Sequence, residues 1–121
     1  MKNLSYKRTT RKKQTIIELN NIKIGKNGFL LAAGPCAIES EEQYYATAKS
    51  VKKAGANVIR GSIFKPRTSP YSFQGLGKVG LKLIKDVRED LKIAVETEVM
   101  DPRDVGTVKN YVDILRIEAR N

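Results

Sequence analysis

The sequence predicts an α/β fold with parallel strands, the first half of a (β/α)8 barrel preceded by a short N-terminal β-hairpin. Apolar, strand-like segments alternate with amphipathic, helix-like ones, and each connection is long enough for a crossover helix. The first of these strands is an unbroken apolar run. A complete barrel needs roughly 200 residues or more, so the 121 residues of the chain supply about half of one.

The hairpin and the first barrel strand come first in the chain. Thr15–Leu19 and Ile22–Ile24 have the pattern of two short strands, and Asn20 begins an Asn-Asn pair suited to the tight turn between them. Phe29–Ala33 is the unbroken apolar run, which predicts a strand buried on both faces. Gly34 and a proline end this strand.

A capping box predicts the start of the first helix. The Ser40 side chain can accept from the third helical N–H while Gln43 reaches back, and Gly55 suits a left-handed cap at the other end. The apolar residues at helical spacing are Tyr44, Ala48, Val51 and Ala54. The second strand is predicted at Asn57–Phe64.

The second half of the predicted sheet follows a polar loop. Helical spacing of apolar residues predicts a second helix whose inner face is Leu76, Val79, Leu83, Ile84 and Val87. A third strand is predicted at Ile93–Thr97. Asp101, followed by a proline, predicts the start of a third helix with an inner face of Val105, Val108 and Val112. Asp113–Ile117 has the pattern of a fourth strand.

The formal net charge is +10 and is unevenly distributed. Residues 1–13 contain several lysines and arginines and no acid, so we predict a basic flexible arm over 1–14 and a single domain over 15–121. We expect no nucleic-acid partner, because the arm holds only one aromatic residue and lacks interleaved stacking rings. We expect no membrane partner, because no apolar run approaches the roughly 20 residues of a membrane span.

Two residue types limit the chemistry that the chain can perform by itself. It has no histidine, which excludes Ser-His-Asp and Cys-His catalysis within the chain, and also zinc sites that use histidine. It has one cysteine, so an internal disulfide is excluded and a reducing compartment, the cytoplasm, is expected.

Charged and polar side chains cluster where the predicted strands end, the edge at which function gathers in this architecture. Four cations and two hydroxyls predict an anion site, because arginine and lysine match phosphate and carboxylate oxygens. The residues at this edge are Cys36, Arg60, Lys65, Arg67, Thr68, Ser69, Glu98 and Arg120. Simpler alternatives stay open at this point: Cys36 as inert packing, Arg60 and Lys65 as surface charges, and Glu98 as the partner of a neighbouring cation.

Several motifs resemble 3-deoxy-D-arabino-heptulosonate-7-phosphate (DAHP) synthase, in its compact-barrel microbial subfamily. They are Ala33-Gly-Pro-Cys-Ala-Ile-Glu-Ser40, Arg60-Gly61, Lys65-Pro-Arg-Thr-Ser-Pro-Tyr-Ser-Phe-Gln-Gly75, Thr97-Glu-Val99 and Ala119-Arg-Asn121. The stretch that begins at Lys65 is highly specific. Gly-Pro-Cys is shared with the related 3-deoxy-octulosonate-8-phosphate synthase. That family is therefore the alternative to DAHP synthase.

The resemblance implies an activity and assigns roles to residues. The family condenses phosphoenolpyruvate with erythrose 4-phosphate, requires a divalent metal of the manganese, iron, zinc or cobalt class, and forms homo-oligomers. It implies Cys36 as a metal ligand, Lys65 as the catalytic residue and Glu98 as a possible outer neighbour of the metal. Phosphoenolpyruvate would be bound by Arg60 and Lys65, with Ala119 and Arg120 at its phosphate. Erythrose 4-phosphate would contact Lys65, Pro66, Arg67 and Thr68.

The chain also departs from the pattern that the resemblance implies. The remaining metal ligands of the family come from later strands, so we expect an N-terminal fragment that is inactive alone. Glu118 and Ser62 stand where the family has glycine, and Glu96 occupies a strand position that is normally apolar. Because a buried carboxylate without a partner is costly, these changes indicate relaxed constraint or an error in the sequence.

Two other hypotheses remain beside the inactive fragment. The chain could be a half-barrel subunit that pairs with itself or with a separate second half, since four strands leave both sheet edges unpaired. From a different class, it could be a non-catalytic module that binds anions or nucleic acid through its basic arm and anion site.

Overall fold

A computed structural model describes residues 14–64, 76, 77 and 79–118 of the chain, and it confirms the α/β architecture. An antiparallel hairpin pairs β1 (Ile17–Leu19) with β2 (Ile22–Ile24). The main sheet is parallel, and its strands lie side by side in chain order: β3 (Ala32–Ala33), β4 (Val58–Arg60), β5 (Ala94–Glu98) and β6 (Ile114–Arg116). The helices are α1 (Glu41–Lys53), α2 (Val79–Leu91) and α3 (Val105–Val108).

Some of the predicted features lie outside the described residues. These are nearly all of the predicted arm over 1–14, the loop from Lys65 to Gly75, and Ala119 to Asn121. None of the helices in the described part of the chain is long and apolar enough to cross a bilayer.

The core lies between the sheet and the two long helices. Ile59 of β4 and Val95 of β5 are fully buried and pack in one cluster with Tyr44 of α1 and Ile84 of α2. Side chains alternate between the two faces of a strand. Arg60 follows Ile59, and Glu96 follows Val95, so the side chains of Arg60 and Glu96 lie on the opposite face of the sheet, away from the helices. These two residues are cross-strand partners.

The predicted helix boundaries of α1 are confirmed by their hydrogen bonds. The Ser40 hydroxyl accepts from the Gln43 backbone N–H at 3.1 Å, and Gln43 Oε1 accepts from the Glu39 N–H at 3.1 Å. Gly55, just after the helix, has a φ of 103°, the left-handed conformation expected at this end. The third helical segment is also capped as predicted, because Asp101 accepts from the Arg103 N–H at 2.8 Å.

Three sequence predictions are wrong in detail. Strand β3, an edge of the described sheet, has only two residues, so Phe29 lies outside it and is 83% exposed. In α2, Val79 is 82% exposed and Leu81 is buried in its place, since the helix is rotated so that Leu81, Ile84 and Val87 face the core. The third helix is a 3-10 turn (Pro102–Asp104) followed by the four residues of α3.

A buried carboxylate ties α2 to the sheet just before β6. Asp113, whose side chain is 5% exposed, forms an ion pair at 2.6 Å with Arg88 of α2. Its other oxygen accepts from the Val95 N–H at 2.9 Å, and the Asp113 N–H donates back to the Val95 carbonyl at 3.0 Å. One side chain therefore sets the position of α2, β5 and the start of β6 relative to each other.

Candidate functional site

The sheet face away from the helices carries a row of charged side chains near the carboxyl ends of the strands. In the register of the sheet, Arg60 lies opposite Glu96, and Glu98 lies opposite Arg116. Ser62 follows β4 and is fully buried, as is Glu98, which is 1% exposed. Because adjacent strands are about 4.8 Å apart, these five side chains form one charged cluster.

Arg116 joins this cluster by contacts to three other members. Its Nε donates to Glu96 Oε1 at 2.6 Å, and one of its terminal nitrogens lies 3.4 Å from Glu98 Oε2. The same terminal nitrogen donates to the Ser62 hydroxyl at 3.2 Å. An arginine suits this position because its rigid fork can serve several acceptors at once.

These contacts contradict the interpretation of Glu96 as an unpaired buried carboxylate. Glu96 is 12% exposed and has a charged partner at 2.6 Å. Ser62, the second unusual residue, belongs to the same network, because its hydroxyl lies 3.4 Å from Glu98 Oε2 and accepts from Arg116. Glu96 and Ser62, which are far apart along the chain, are thus joined by Arg116 in the structure.

The other arginine on this face, Arg60, has no such partner among the described residues. Its Nε is buried and has no hydrogen-bond acceptor there. Its guanidinium takes part in none of the ion pairs found among those residues. A buried donor without an acceptor costs free energy. Among the described residues, Arg60 is therefore a cation at the carboxyl end of β4 whose Nε has no acceptor.

Two further buried polar groups lie close to the charged cluster. The Thr97 hydroxyl donates to the Gly61 carbonyl at 2.8 Å, which ties β5 to the residue that follows Arg60. The Tyr44 hydroxyl is buried without a hydrogen-bond partner in the described part of the chain. Burial, with a smaller contribution from the charge of Glu96, raises the pKa of Tyr44 well above its ordinary value, so Tyr44 stays protonated.

The turn after β3 is built against the backbone of Arg60. Gly34 has a φ of +149°, and a Cβ at this position would lie 2.4 Å from the Arg60 carbonyl oxygen. Only glycine allows both this conformation and this close approach. The turn carries Cys36, whose carbonyl accepts from the Ser62 N–H at 3.3 Å, so the ends of β3 and β4 are held together.

Replacing Gly34 with alanine is expected to lower the free energy of unfolding by about 2 kcal/mol, since the backbone must shift away from Arg60. Gly106 in α3 is the matched control, because a Cβ there meets nothing within 4 Å. Gly106→Ala is expected to leave stability unchanged or to raise it by up to about 1 kcal/mol. Urea denaturation of both variants measures the difference, and equal midpoints would contradict the proposed clash.

The described residues do not fit a divalent metal centre. Cys36 is exposed, and within residues 14–64, 76, 77 and 79–118 no group of three potential ligands is close enough to hold an ion. Metal sites in proteins normally use three or four side-chain ligands, and the thiolate of Cys36 would be one of them. Glu98, which the resemblance implies as a possible outer neighbour of the metal, lies 3.4 Å from both the Ser62 hydroxyl and a terminal nitrogen of Arg116.

The structure brings together only part of the site predicted from sequence. Arg60 and Glu98 lie on neighbouring strands of the charged cluster, and Cys36 lies on the turn beside β4. The other predicted site residues, which lie outside the described residues, are Lys65, Pro66, Arg67, Thr68, Ala119 and Arg120. Sequence reasoning missed Arg116 as a contact of this site, and its only signal is a charge within an otherwise apolar strand.

Comparison with known proteins gives the family of the chain. The model of the DAHP synthetase I family matches residues 9–121. A phospho-2-dehydro-3-deoxyheptonate aldolase from Thermotoga maritima is 43% identical over 107 residues, which are 88% of this chain and 32% of that protein. A crystal structure of the DAHP synthase from the same organism superimposes with a TM-score of 0.84 at 41% identity, covering 94% of this chain and 33% of that one.

Related octonate aldolases are also similar to the chain. A 2-dehydro-3-deoxyphosphooctonate aldolase from Bordetella bronchiseptica is 42% identical over 98 residues, covering 75% of this chain and 34% of that protein. The chain thus spans about a third of the length of the curated relatives it matches. The family model covers nearly the whole chain, and the fold agrees with a solved member. The chain therefore belongs to the DAHP synthetase I family.

Proposed function

We propose that the protein takes part in the condensation of phosphoenolpyruvate with erythrose 4-phosphate, and that this chain carries part of the phosphoenolpyruvate site. The environment of Arg60 supports this proposal most directly. Arg60 lies at the carboxyl end of β4, and its buried Nε has no acceptor among the described residues. Phosphate and carboxylate groups are the acceptors that an arginine fork matches.

The remaining roles in this proposal rest on the family resemblance. Lys65 would act at the reacting centre, with Arg67 and Thr68 along the erythrose 4-phosphate side and Arg120 at the phosphate. Fixed cations offset the repulsion between two multiply charged substrates and stabilise charge that develops during the reaction. The family uses a divalent metal, and Cys36 would supply one thiolate ligand to it. The described residues do not form a metal centre by themselves.

Two further parts of the proposal concern the whole protein. A single cysteine and the absence of an internal disulfide favour the reducing environment of the cytoplasm. The family resemblance supports a homo-oligomer. Sedimentation of the full-length protein in solution measures this property directly, and a monomer would contradict it.

A chimera tests the reaction and the choice of sugar phosphate. Residues 15–121 replace the matching segment of the Thermotoga maritima relative, and loss of phosphoenolpyruvate is followed with a four-carbon or a five-carbon aldose phosphate. An octonate product contains one carbon more than a heptonate product, so the five-carbon sugar represents the function of the octonate aldolases. We expect at least a tenfold preference for erythrose 4-phosphate, and the reverse preference would favour the octonate reaction. Titration of the 121-residue chain with phosphoenolpyruvate tests binding without the chimera.

A further inference from the structure

We propose that Arg116 is a positioning residue that keeps Arg60 available for the anionic substrate by holding the carboxylate of Glu96. This inference rests on the proposed function in one respect, since it takes the ligand of Arg60 to be phosphoenolpyruvate. The arrangement of the side chains themselves is independent of that function.

The register of the sheet makes Glu96 the natural partner of Arg60. The two residues are directly opposite each other on β4 and β5, and both side chains lie on the face away from the helices. Opposite charges at such cross-strand positions normally attract and pair. An arginine paired in this way would have to break that ion pair before it could bind a phosphate or a carboxylate group.

Arg116 prevents this pairing from the other side of β5. Arg116 Nε donates to Glu96 Oε1 at 2.6 Å, while Arg60 Nε has no acceptor in the described part of the chain. The side chain of Arg116 is 30% exposed, and that of Glu96 is 12% exposed. The pair is therefore only partly screened by water, and its attraction is stronger than that of an exposed surface pair.

The position of Arg116 is supported by two additional contacts. Its terminal nitrogen reaches the Ser62 hydroxyl at 3.2 Å and Glu98 Oε2 at 3.4 Å. Glu98 lies opposite Arg116 in the register, and Ser62 follows β4, so these contacts hold the guanidinium across three strands. A guanidinium held at three points is less free to release Glu96 than one held by a single ion pair. Ser62 and Glu96 thus act with Arg116 as one unit.

The first readout is the state of Arg60 itself. The Nε–Hε signal of Arg60 is followed by nuclear magnetic resonance in the 121-residue chain and assigned by its loss in Arg60→Gln. In Arg116→Gln, Glu96 is expected to turn to Arg60, which moves this proton downfield and slows its exchange with water several-fold. In the double variant Arg116→Gln/Glu96→Gln, the signal is expected to return to its original position. A signal that is unchanged in Arg116→Gln would overturn the proposal.

The second readout is binding of phosphoenolpyruvate, measured by titration of the same variants. We expect the dissociation constant to rise about tenfold in Arg116→Gln, comparable to the loss of one hydrogen bond to a charged group. The double variant is expected to recover most of that affinity, and a loss that persists there would mean that Arg116 serves only the fold. Lys85→Gln on the exposed side of α2 removes the same charge far from the sheet face and is the matched control.

The two readouts separate the inference from the proposed function. If the unmodified chain shows no binding that depends on Arg60, the proposed ligand is wrong, and the resonance experiment still decides whether Arg116 controls Arg60. Should Arg116→Gln not fold, Arg116→Lys replaces it. A lysine keeps the charge but cannot bridge Glu96 and Glu98 as a fork does. A partial shift of the Arg60 signal is then expected, and no shift would overturn the inference.

Discussion

Replacing Arg60 with glutamine is expected to raise the dissociation constant of phosphoenolpyruvate by roughly a hundredfold, because two charge-assisted hydrogen bonds are lost. The expectation follows from the position of Arg60 at the end of β4 and from its buried Nε, which lacks an acceptor among the described residues. Glutamine keeps some of the length and polarity of arginine but removes the charge. Isothermal titration calorimetry of the 121-residue chain measures the change.

The matched control for this variant is Lys85→Gln. It lowers the net charge by the same amount but lies on α2, where Lys85 forms an exposed i,i+4 pair with Glu89. Its affinity for phosphoenolpyruvate is expected to stay within about twofold of that of the unmodified chain, because surface charges at a distance are screened by salt. If Arg60→Gln and Lys85→Gln lost the same affinity for phosphoenolpyruvate, binding would depend on overall charge, and the proposed site would have no basis.

Replacing Asp113 with alanine is expected to lower the free energy of unfolding by about 3 kcal/mol. The variant leaves the Val95 N–H without its side-chain acceptor and the partly buried Arg88 without its counter-charge. It also loosens the start of β6, the strand that presents Arg116. Urea denaturation followed by circular dichroism measures the loss.

Asp86→Ala is the matched control for Asp113→Ala, because it removes an exposed carboxylate from α2 and leaves the buried one in place. Asp86 is 38% exposed and pairs with Lys82 one helical turn away. Exposed pairs of this kind contribute well under 1 kcal/mol, so its midpoint is expected to change little. If Asp113→Ala were as stable as Asp86→Ala, the buried ion pair would contribute no more than a surface pair.

Local patterns predicted most of the fold. Ser40 with Gln43, Gly55 and Asp101 mark helix ends correctly, because a cap is an interaction between residues a few positions apart. The order of strands and helices was likewise readable, since apolar periodicity is a property of each segment. The predictions are wrong where burial depends on distant partners: Phe29, which precedes the edge strand β3, is exposed, and Leu81 replaces Val79 on the inner face of α2.

The candidate site was predictable only in part. The sequence indicates Arg60 and Glu98 because both lie near the carboxyl ends of strands, and the carboxyl ends of parallel strands meet at one edge of a sheet. Arg116 was not identified as part of the site, since a charge in a short strand shows neither its direction nor its partner. The sequence suggests a carboxylate without a partner at Glu96, whereas Glu96 forms the 2.6 Å ion pair with Arg116.

The fold class, the order of the elements, the caps of the helices and the motifs that resemble DAHP synthase can all be read from the sequence. Each cap, motif and apolar pattern is local to a short stretch of the chain, and the succession of these patterns gives the order of the elements and the fold class. Which charges meet is visible only in the folded chain: Arg116 pairs with Glu96, Glu98 lies beside Ser62, and Arg60 Nε has no acceptor among the described residues. The physical reason is that these contacts depend on the register between strands that are far apart in the chain, and side chains lie opposite each other only after the helices have placed the strands.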